Sequence, residues 1–311
     1  MAKFKISSVF IKITMVVVLT SISILSYADT VSNKKNSSID RAPIRVVVLN
    51  PNLLDDVMLL GIKPVGYAGD IIPDYLKMNL KSVAFVGPGD NPSTWDIFYL
   101  SPDLIIGEKS YDKKFVYQLQ KMAPTMLLNA QGGINAQIEN LKILGITFKQ
   151  QQKAKEAIEN FKALLKRSEN LGQAYPATTL MMLEKDNQLY AVTNNTFASK
   201  LLKRLGKDNV IDLKESNEHR EAQKLIKISL AEIKAKDPDQ IILLVEDADI
   251  GSLKPLLDNP KWKDLKAVKY HHVYYMDKDI WLNIHGLQAI AMALTQANKT
   301  GFLALEKFVM I

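Results

Sequence analysis

Residues 45–61 read RVVVLNPNLLDDVMLLG. The apolar run at 45–49 is bounded by Pro43 and by Asn50-Pro51, a pattern typical of a buried parallel strand. The next residues repeat Leu and Val at helical spacing after an Asn and stop at Gly61, which indicates a helix. A strand that leads directly into a helix is the unit from which α/β sheets are built.

The same alternation continues outward from this unit to the C-terminal region. Further apolar runs predict strands at 63–67, 82–86, 103–107, 125–128, 179–183, 189–192, 240–245 and 273–276. Periodic segments between them predict helices at 93–100, 111–122, 197–205, 229–235 and 286–297. The expected fold class is α/β, with mainly parallel sheets flanked by helices.

Residues 149–170 differ from their surroundings. Lys and Glu dominate, no Gly or Pro occurs before Gly172, and the apolar side chains fall on one stripe: Ala154, Ile158, Phe161 and Leu165. This pattern predicts one long amphipathic helix.

Two segments on either side of that helix share one pattern. Residues 93–107 read STWDIFYLSPDLIIG and residues 229–243 read SLAEIKAKDPDQIIL. Each has a Ser, a short helix and then Pro-Asp before an apolar strand. The repeat indicates two similar lobes, so we predict an N-terminal lobe at 43–148, a linking helix at 149–172 and a C-terminal lobe at 173–311.

The N-terminal residues have the features of an export signal. Lys3, Lys5 and Lys12 precede an uncharged run at 13–28 that ends in Ser-Tyr-Ala. The run is shorter than the ~20 residues of a spanning helix. We therefore predict a cleaved signal peptide at 1–28, followed at 29–42 by a flexible leader that is poor in large apolar side chains.

Composition excludes several kinds of protein. The chain has no Cys, which excludes disulfides, thiolate catalysis, Cys-ligated zinc and the lipid-modified Cys of a bacterial lipoprotein. We therefore expect a free protein of the periplasm and not a lipoprotein. Lys and Arg (40) exceed Asp and Glu (33), but the Lys residues are spread along the chain, so nucleic acid is not an expected partner.

Several segments resemble ABC-transporter binding proteins for iron siderophores and vitamin B12, most of all the ferric dicitrate type. The N-terminal lobe carries RVVVLNPNLLDDVMLLGIKPVGYAG, VAFVG, NPSTWDIFYLSPDLIIGEKS and YQLQKMAPTMLL. The C-terminal lobe carries QLYAVTNNTFASKLLKRLG, ISLAEIKAKDPDQIIL, DNPKWKDLKAV and VYYMDKDIWLNIHGLQAI. The order and spacing of these segments are more specific than any one of them.

The resemblance implies two α/β lobes joined by a single rigid helix, with ligand in the cleft between them. It implies capture of a ferric siderophore and delivery to an inner-membrane ABC permease, by a monomer without catalytic activity. No cofactor is expected beyond the Fe³⁺ that the ligand carries.

Loops after the strands supply the candidate ligand-binding residues, because ligands of parallel sheets bind at the carboxyl ends of strands. Aromatic faces and amide or cationic donors suit an iron chelate with an oxygen-rich surface. The candidates are Asn50, Asn52, Tyr67, Pro88, Lys109, Tyr111, Lys185, Asn195, Phe197, Glu246, Trp281, Asn283 and His285.

The chain departs from the resembled family in two respects. Ferric citrate relatives tend to carry Arg in the loops that meet the ligand, whereas this chain has Tyr111, Asn283 and His285 in such segments. This favours a less anionic complex, or one that is bound mainly by aromatic and amide groups. Relatives also show a docking Glu early in the helix before each Pro-Asp strand; here Asp96 and Glu232 are displaced by one position and are candidates for contact with the permease.

Alternative functions remain open at this point. Haem and cobalamin are possible ligands of the same fold. Direct metal binding is less favoured because the adjacent His271 and His272 point to opposite faces of an extended segment. A periplasmic hydrolase is a distant alternative, since Gly-x-Ser-x-Gly and phosphate-loop motifs are absent.

Overall fold

The computed structural model describes residues 42–111, 113–212, 224–246, 250–283 and 286–304. The first part, called lobe one, alternates five strands with five helices. In order they are β1 (Val46–Val48), α1 (Pro51–Leu59), β2 (Gly66–Tyr67), α2 (Asp74–Leu80), β3 (Ala84–Phe85), α3 (Thr94–Tyr99), β4 (Leu104–Glu108), α4 (Lys113–Gln120), β5 (Thr125–Leu128) and α5 (Ile134–Thr147).

The sheet of lobe one is entirely parallel, with strand order β3-β2-β1-β4-β5. Its central strand β1 is fully buried, which explains the uninterrupted run of Val in the sequence. Asn50 caps α1 by accepting backbone hydrogen bonds from Asn52 (2.9 Å) and Leu53 (3.4 Å), and Pro51 occupies the first helical position. Asn50-Pro51 therefore turns the chain from strand to helix.

A single 24-residue helix, α6 (Gln151–Ala174), follows lobe one. Its predicted stripe of Ala154, Ile158, Phe161 and Leu165 is buried. The helix packs against α5 and against the last helix of the described residues, at Leu287–Lys299. It thus contacts both lobes, although the predicted domain boundaries themselves remain predictions.

The rest of the described chain, called lobe two, forms a second sheet with its helices. Its elements are β6 (Ala177–Lys185), β7 (Gln188–Val192), α7 (Phe197–Arg204), β8 (Lys207–Asn209), β9 (Leu225–Lys227), α8 (Leu230–Lys236), β10 (Gln240–Val245), α9 (Lys254–Leu257), α10 (Pro260–Lys263), α11 (Lys266–Lys269), β11 (Val273–Asp277) and α12 (Leu287–Lys299), with a 3₁₀ turn at Ile250–Leu253 and a π-helical turn at Asp279–Asn283.

The sheet of lobe two is mixed. Its order is β11-β10-β6-β7-β9, and β8 pairs with the start of β6. The pairs β11-β10 and β10-β6 are parallel, whereas β7 runs antiparallel to both of its neighbours. The predicted α/β fold class of two lobes is confirmed. Helices α2 and α5, strands β8 and β9 and the short helices α9, α10 and α11 were not predicted from the sequence.

The repeated Ser…Pro-Asp segments occupy equivalent places in the two lobes. Ser93 and Ser229 cap α3 and α8. Asp103, before β4, accepts hydrogen bonds from the backbone N–H groups of Ile44 (2.8 Å) and Arg45 (2.9 Å), just before β1. Asp239, before β10, accepts one from the N–H of Thr178 in β6 (3.0 Å). In each lobe the repeated Asp thus ties two neighbouring parallel strands together at their amino ends.

The predicted signal peptide at 1–28 and the leader at 29–42 lie outside the described residues, apart from Ala42. Among the residues that are described, every helix is too short or too polar to cross a membrane.

Candidate functional site

The strand order of lobe one changes direction between β1 and β4, and a cavity of about 610 Å³ opens there at the carboxyl ends of the strands. Asn50 and Pro51 line it after β1, and Glu108, Ser110 and Tyr111 line it after β4. Loops after the other strands add Asp70, Gly89, Asp90, Asn91 and Gln131, and α4 adds Phe115. Ligands of open α/β sheets bind at such a switch point. The volume is within the range of about 300–1,000 Å³ that small-molecule sites occupy.

Tyr111 holds the loops of this cavity together. Its hydroxyl donates to the carbonyl oxygen of Leu49 at 2.6 Å, and the carbonyl oxygen of Gly89 is 3.0 Å away. The Phe115 ring meets it edge to face, with 5.2 Å between ring centroids. Burial raises the pKa of Tyr111, and the negative charges of Glu108 and Asp90 raise it further. The hydroxyl therefore stays protonated and keeps its donor role.

The loop after β5 is fixed by buried polar side chains that converge on Ala130. The Glu108 carboxylate accepts a hydrogen bond from the Ala130 N–H (3.0 Å), while the amides of Asn52 (2.9 Å) and Gln137 (3.0 Å) donate to its carbonyl oxygen. Burial raises the pKa of Glu108, and backbone N–H groups of Ala130, Lys109 and Ser110 oppose that rise. The wall of the cavity that contains Gln131 is therefore built before any ligand arrives.

The structure brings two of the predicted ligand residues, Asn50 and Tyr111, into this cavity. Tyr67 lies half-buried at the end of β2, and its ring centroid is 5.5 Å from that of Phe85. Pro88 and Lys109 are exposed in the loops after β3 and β4. Their contact with a ligand remains a prediction.

The predicted residues of lobe two are dispersed. Lys185 is exposed at the end of β6, Glu246 after β10 forms an ion pair with Lys278, and Asn283 donates to Asp279 (2.8 Å). Asn195 is exposed in the loop before α7. His285 lies outside the described residues.

Phe197 lines a second cavity of about 410 Å³ between α7 and the start of α5. Lys200 and Arg204 also line it, and Arg204 is paired with Glu169. No predicted residue of lobe one shares this cavity.

Two predicted contacts need correction. Trp281 is only 1% exposed, and its indole N–H donates to Gln296 (3.0 Å), so it packs in the core of lobe two rather than facing a ligand. Asn52 is 4% exposed, and its side-chain amide donates a hydrogen bond to the carbonyl oxygen of Ala130. Both side chains act within the protein interior in this structure.

The docking candidates occupy the first turns of α3 and α8, and both are exposed. Glu232 completes a capping box: its carboxylate accepts hydrogen bonds from the N–H (2.8 Å) and hydroxyl (2.7 Å) of Ser229. At Asp96 the corresponding contact is a hydrogen bond of 3.2 Å from its own backbone N–H to the Ser93 hydroxyl. The one-residue displacement noted in the sequence therefore coincides with a structural role for Glu232.

Sequence reasoning missed Asp70, Asp90, Glu108, Ser110, Phe115 and Gln131 as cavity residues. Each lies within a few residues of a strand end or on the helix that follows, so the rule that selected Asn50 could have found them. Among the described residues, no group of three or more His, Cys, Asp or Glu side chains is arranged to hold a metal ion.

The model of the family described as "Periplasmic binding protein" matches residues 46–280, which include the switch-point cavity and most of both sheets. The chain belongs to the periplasmic binding protein family. Its relatives include a putative ABC transporter substrate-binding lipoprotein, YhfQ of Bacillus subtilis, which is 31% identical over 79% of this chain and 79% of its own length. The Fe(3+)-citrate-binding protein YfmC of the same organism is 28% identical over 81% of this chain and 79% of its own length.

Solved structures of periplasmic binding proteins show the same fold. The siderophore-binding protein BauB, solved with two acinetobactin molecules and ferric iron, matches with a TM-score of 0.70 at 20% identity. The match covers 86% of this chain and 95% of BauB. The prediction that this chain is a periplasmic binding protein is confirmed.

The predicted localisation is contradicted. YhfQ is named as a lipoprotein, a class of exported protein held at a membrane, whereas the sequence analysis expected a free periplasmic protein that is not a lipoprotein. That expectation rested on the absence of Cys and on the N-terminal pattern. The name of this relative contradicts the expectation of a free periplasmic protein, which is therefore wrong.

Proposed function

We propose that this periplasmic binding protein captures a ferric siderophore at the switch-point cavity of lobe one and delivers it to an ABC permease. The observation that carries the proposal is the position of the cavity, at the carboxyl ends of β1 and β4, where the strand order changes direction. The names of YfmC and BauB, which refer to ferric citrate and to a ferric siderophore complex, support the choice of ligand over haem or cobalamin.

The chemistry of the cavity suits such a ligand. Tyr111 and Phe115 provide aromatic surface, while Asn50, Asn91 and Gln131 provide amide groups. A ferric chelate has apolar parts and an oxygen-rich surface, and these groups match both. The Fe³⁺ arrives within the ligand as cargo, so the proposal needs no resident metal or cofactor.

The remaining parts of the proposal follow from the fold and family. The protein binds and releases its ligand without catalysis and works as a monomer. The permease contacts exposed surfaces of both lobes, for which Asp96 and Glu232 are the candidate positions. The helix α6 packs against both lobes, so any closure around a ligand is small.

A pair of glutamine substitutions tests the proposal. Gln131→Trp places a bulky ring in the cavity, and Gln120→Trp places the same ring on the exposed end of α4, outside it. Titration of the full chain with ferric citrate, a ferric catecholate and a ferric hydroxamate, followed by equilibrium dialysis of iron, gives the affinities. We expect saturable binding of at least one complex. Gln131→Trp should weaken its affinity about tenfold or more, which corresponds to a loss of about 1.4 kcal/mol in binding free energy. Gln120→Trp should leave the affinity unchanged. Equal affinity in both variants would place the ligand elsewhere.

A further inference from the structure

The switch-point cavity is lined by acids rather than by bases. Asp70, Asp90 and Glu108 face it, and no Lys or Arg of the described chain is among its lining residues. This is opposite to the sign expected for a receptor of a highly charged anion such as ferric citrate. The proposed binding site is defined by the position of the cavity at the strand ends. Asp70, Asp90 and Glu108 determine the charge of that cavity.

Asp70 and Asp90 are the charges available to a ligand. Both are exposed, and neither forms an ion pair with another described residue. Asp70 accepts only a long hydrogen bond from the N–H of Gly89 (3.4 Å). Glu108, in contrast, is 5% exposed and is occupied by the N–H of Ala130. The two exposed carboxylates are therefore the negative charges at the mouth, and the exposed Lys109, next to Glu108 in the loop after β4, offsets part of the charge.

These acids are too dispersed to hold a bare metal ion. They come from the separate loops after β2 and β3, and the described residues contain no cluster of three or more metal-ligating side chains. Carboxylates spread along a cavity wall instead suit an extended ligand with a positively charged group.

The described residues at the strand ends of lobe two do not reverse this charge. Glu246 and Lys278 neutralise each other in an ion pair. Asp277 and Asp279 flank Lys278 in the chain. The cationic Lys185 lies at the end of β6. The cationic side chains Lys200 and Arg204 line the other cavity.

We propose that Asp70 and Asp90 make this site select ferric complexes that are neutral or positively charged, such as hydroxamates that carry a free ammonium group. The inference rests on the proposed function and specifies its ligand class. Hydroxamates neutralise the charge of Fe³⁺, whereas catecholates and citrates leave their ferric complexes negative. A cationic chelate gains attraction from the two carboxylates, and an anionic chelate is repelled.

Ferrioxamine B and its N-acetylated derivative test the proposal, because the two complexes differ by one ammonium charge. Ferric citrate serves as the anionic probe. Affinities of the full chain are compared with those of Asp70→Asn, Asp90→Asn and the double variant, which keep the size of each side chain. Glu139→Gln is the matched control, since Glu139 is an exposed acid of lobe one that is paired with Lys142 and lies outside the cavity.

We expect the wild type to bind ferrioxamine B more tightly than the N-acetylated complex. Each Asp→Asn change should reduce that preference by a factor of about two to five, the range of an exposed ion pair, while Glu139→Gln leaves it unchanged. The preference should also shrink as salt is added. Thermal unfolding of each variant verifies that the fold is intact.

The outcomes separate the two proposals. Equal or tighter binding of ferric citrate, or a preference that survives the double Asp→Asn variant, would overturn the charge selection and leave ferric-siderophore capture standing. Failure of every ferric complex to bind would overturn the proposed function and this inference with it.

Discussion

Asp56 accepts a hydrogen bond of 2.9 Å from the backbone N–H of Leu287, so an acid of lobe one caps the final helix of lobe two. The neighbouring Asp55 accepts two more, from the N–H groups of Gln288 (2.9 Å) and Ala289 (3.2 Å). Carboxylates at a helix amino end satisfy free N–H groups and interact well with the helix dipole. These bonds form a clasp between lobe one and α12.

The clasp predicts a dependence of stability on pH. Burial raises the pKa of Asp55 to about 6, against the opposing hydrogen bonds from Tyr75 and the α12 backbone. Burial also raises the pKa of Asp56 well above its usual range, and Asp55 raises it further. A carboxyl whose pKa is higher in the folded chain binds its proton more tightly there. Stability should therefore rise as pH falls from about 7.5 to about 5.

Urea unfolding of the wild type and of Asp55→Asn at several pH values in this window measures the effect. Asp55 can contribute about 3 kcal/mol over its full titration, since one pKa unit corresponds to about 1.4 kcal/mol, and about half of that falls above pH 5. Asp55→Asn should flatten the dependence, because the amide does not titrate. The Tyr75 hydroxyl donates to Asp55 at 2.6 Å, and burial raises the pKa of Tyr75, so this neighbour stays protonated throughout the window. An unchanged slope in the variant would contradict the role of Asp55.

Gly286, directly before α12, predicts a second test of the clasp. A Cβ atom at this position would lie 2.3 Å from Asp55 Oδ2 and 2.7 Å from the carbonyl oxygen of Asn52. Gly286→Ala should therefore destabilise the protein by about 1–3 kcal/mol, the range of an overpacked interior. Gly133→Ala is the control, because Gly133 caps α5 and has open space around its Cβ position. Equal melting temperatures of the two variants would contradict the close packing of Gly286 against Asp55.

The sequence predicted the sheets well because their strands are buried runs such as 46–48 and 240–245. Helix α5 was missed for a physical reason. Its buried face includes the polar Gln137 and Asn140, which hold the loop after β5, while Ile143 and Ile146 are exposed. The hydrophobic stripe that marks a packing helix is therefore broken by side chains that serve the site.

The candidate site was only partly predictable. The strand-end rule selected Asn50 and Tyr111, which line the switch-point cavity, yet it could not tell which other loop side chains point inward. Trp281 was chosen for its aromatic ring, although that ring fills the core of lobe two. Contacts such as Asp56 with Leu287 join distant parts of the chain and leave no local pattern in the sequence.

The three Trp residues predict a simple check of the fold. Trp95 is 70% exposed, while Trp262 and Trp281 are each 1% exposed. Acrylamide should quench mainly the fluorescence of Trp95, and Trp95→Phe should remove most of the accessible emission. Trp281→Phe should leave the accessible emission unchanged but lower the melting temperature, because it removes packing volume and the hydrogen bond to Gln296. Strong quenching that persists in Trp95→Phe would mean that one of the buried rings is open to solvent.

Asp96 and Glu232 should differ when each is changed to Ala, although both are exposed first-turn acids. The Glu232 carboxylate holds the N–H and hydroxyl of Ser229, and these hydrogen bonds lower its pKa. Glu232→Ala should therefore lower the melting temperature more than Asp96→Ala at neutral pH, and Ser229→Ala should cost about 1 kcal/mol as the loss of a helix cap. Because the pKa of Glu232 is lower in the folded chain than in the unfolded chain, its contribution to stability is lost as the pH falls through the acid range. The Glu232→Ala deficit should therefore shrink on acidification. Thermal unfolding at neutral and acid pH measures this, and equal effects of the two Ala variants at neutral pH would contradict the capping role. A loss of transport that appears in Asp96→Ala without any loss of stability would then identify Asp96 as the residue that contacts the permease.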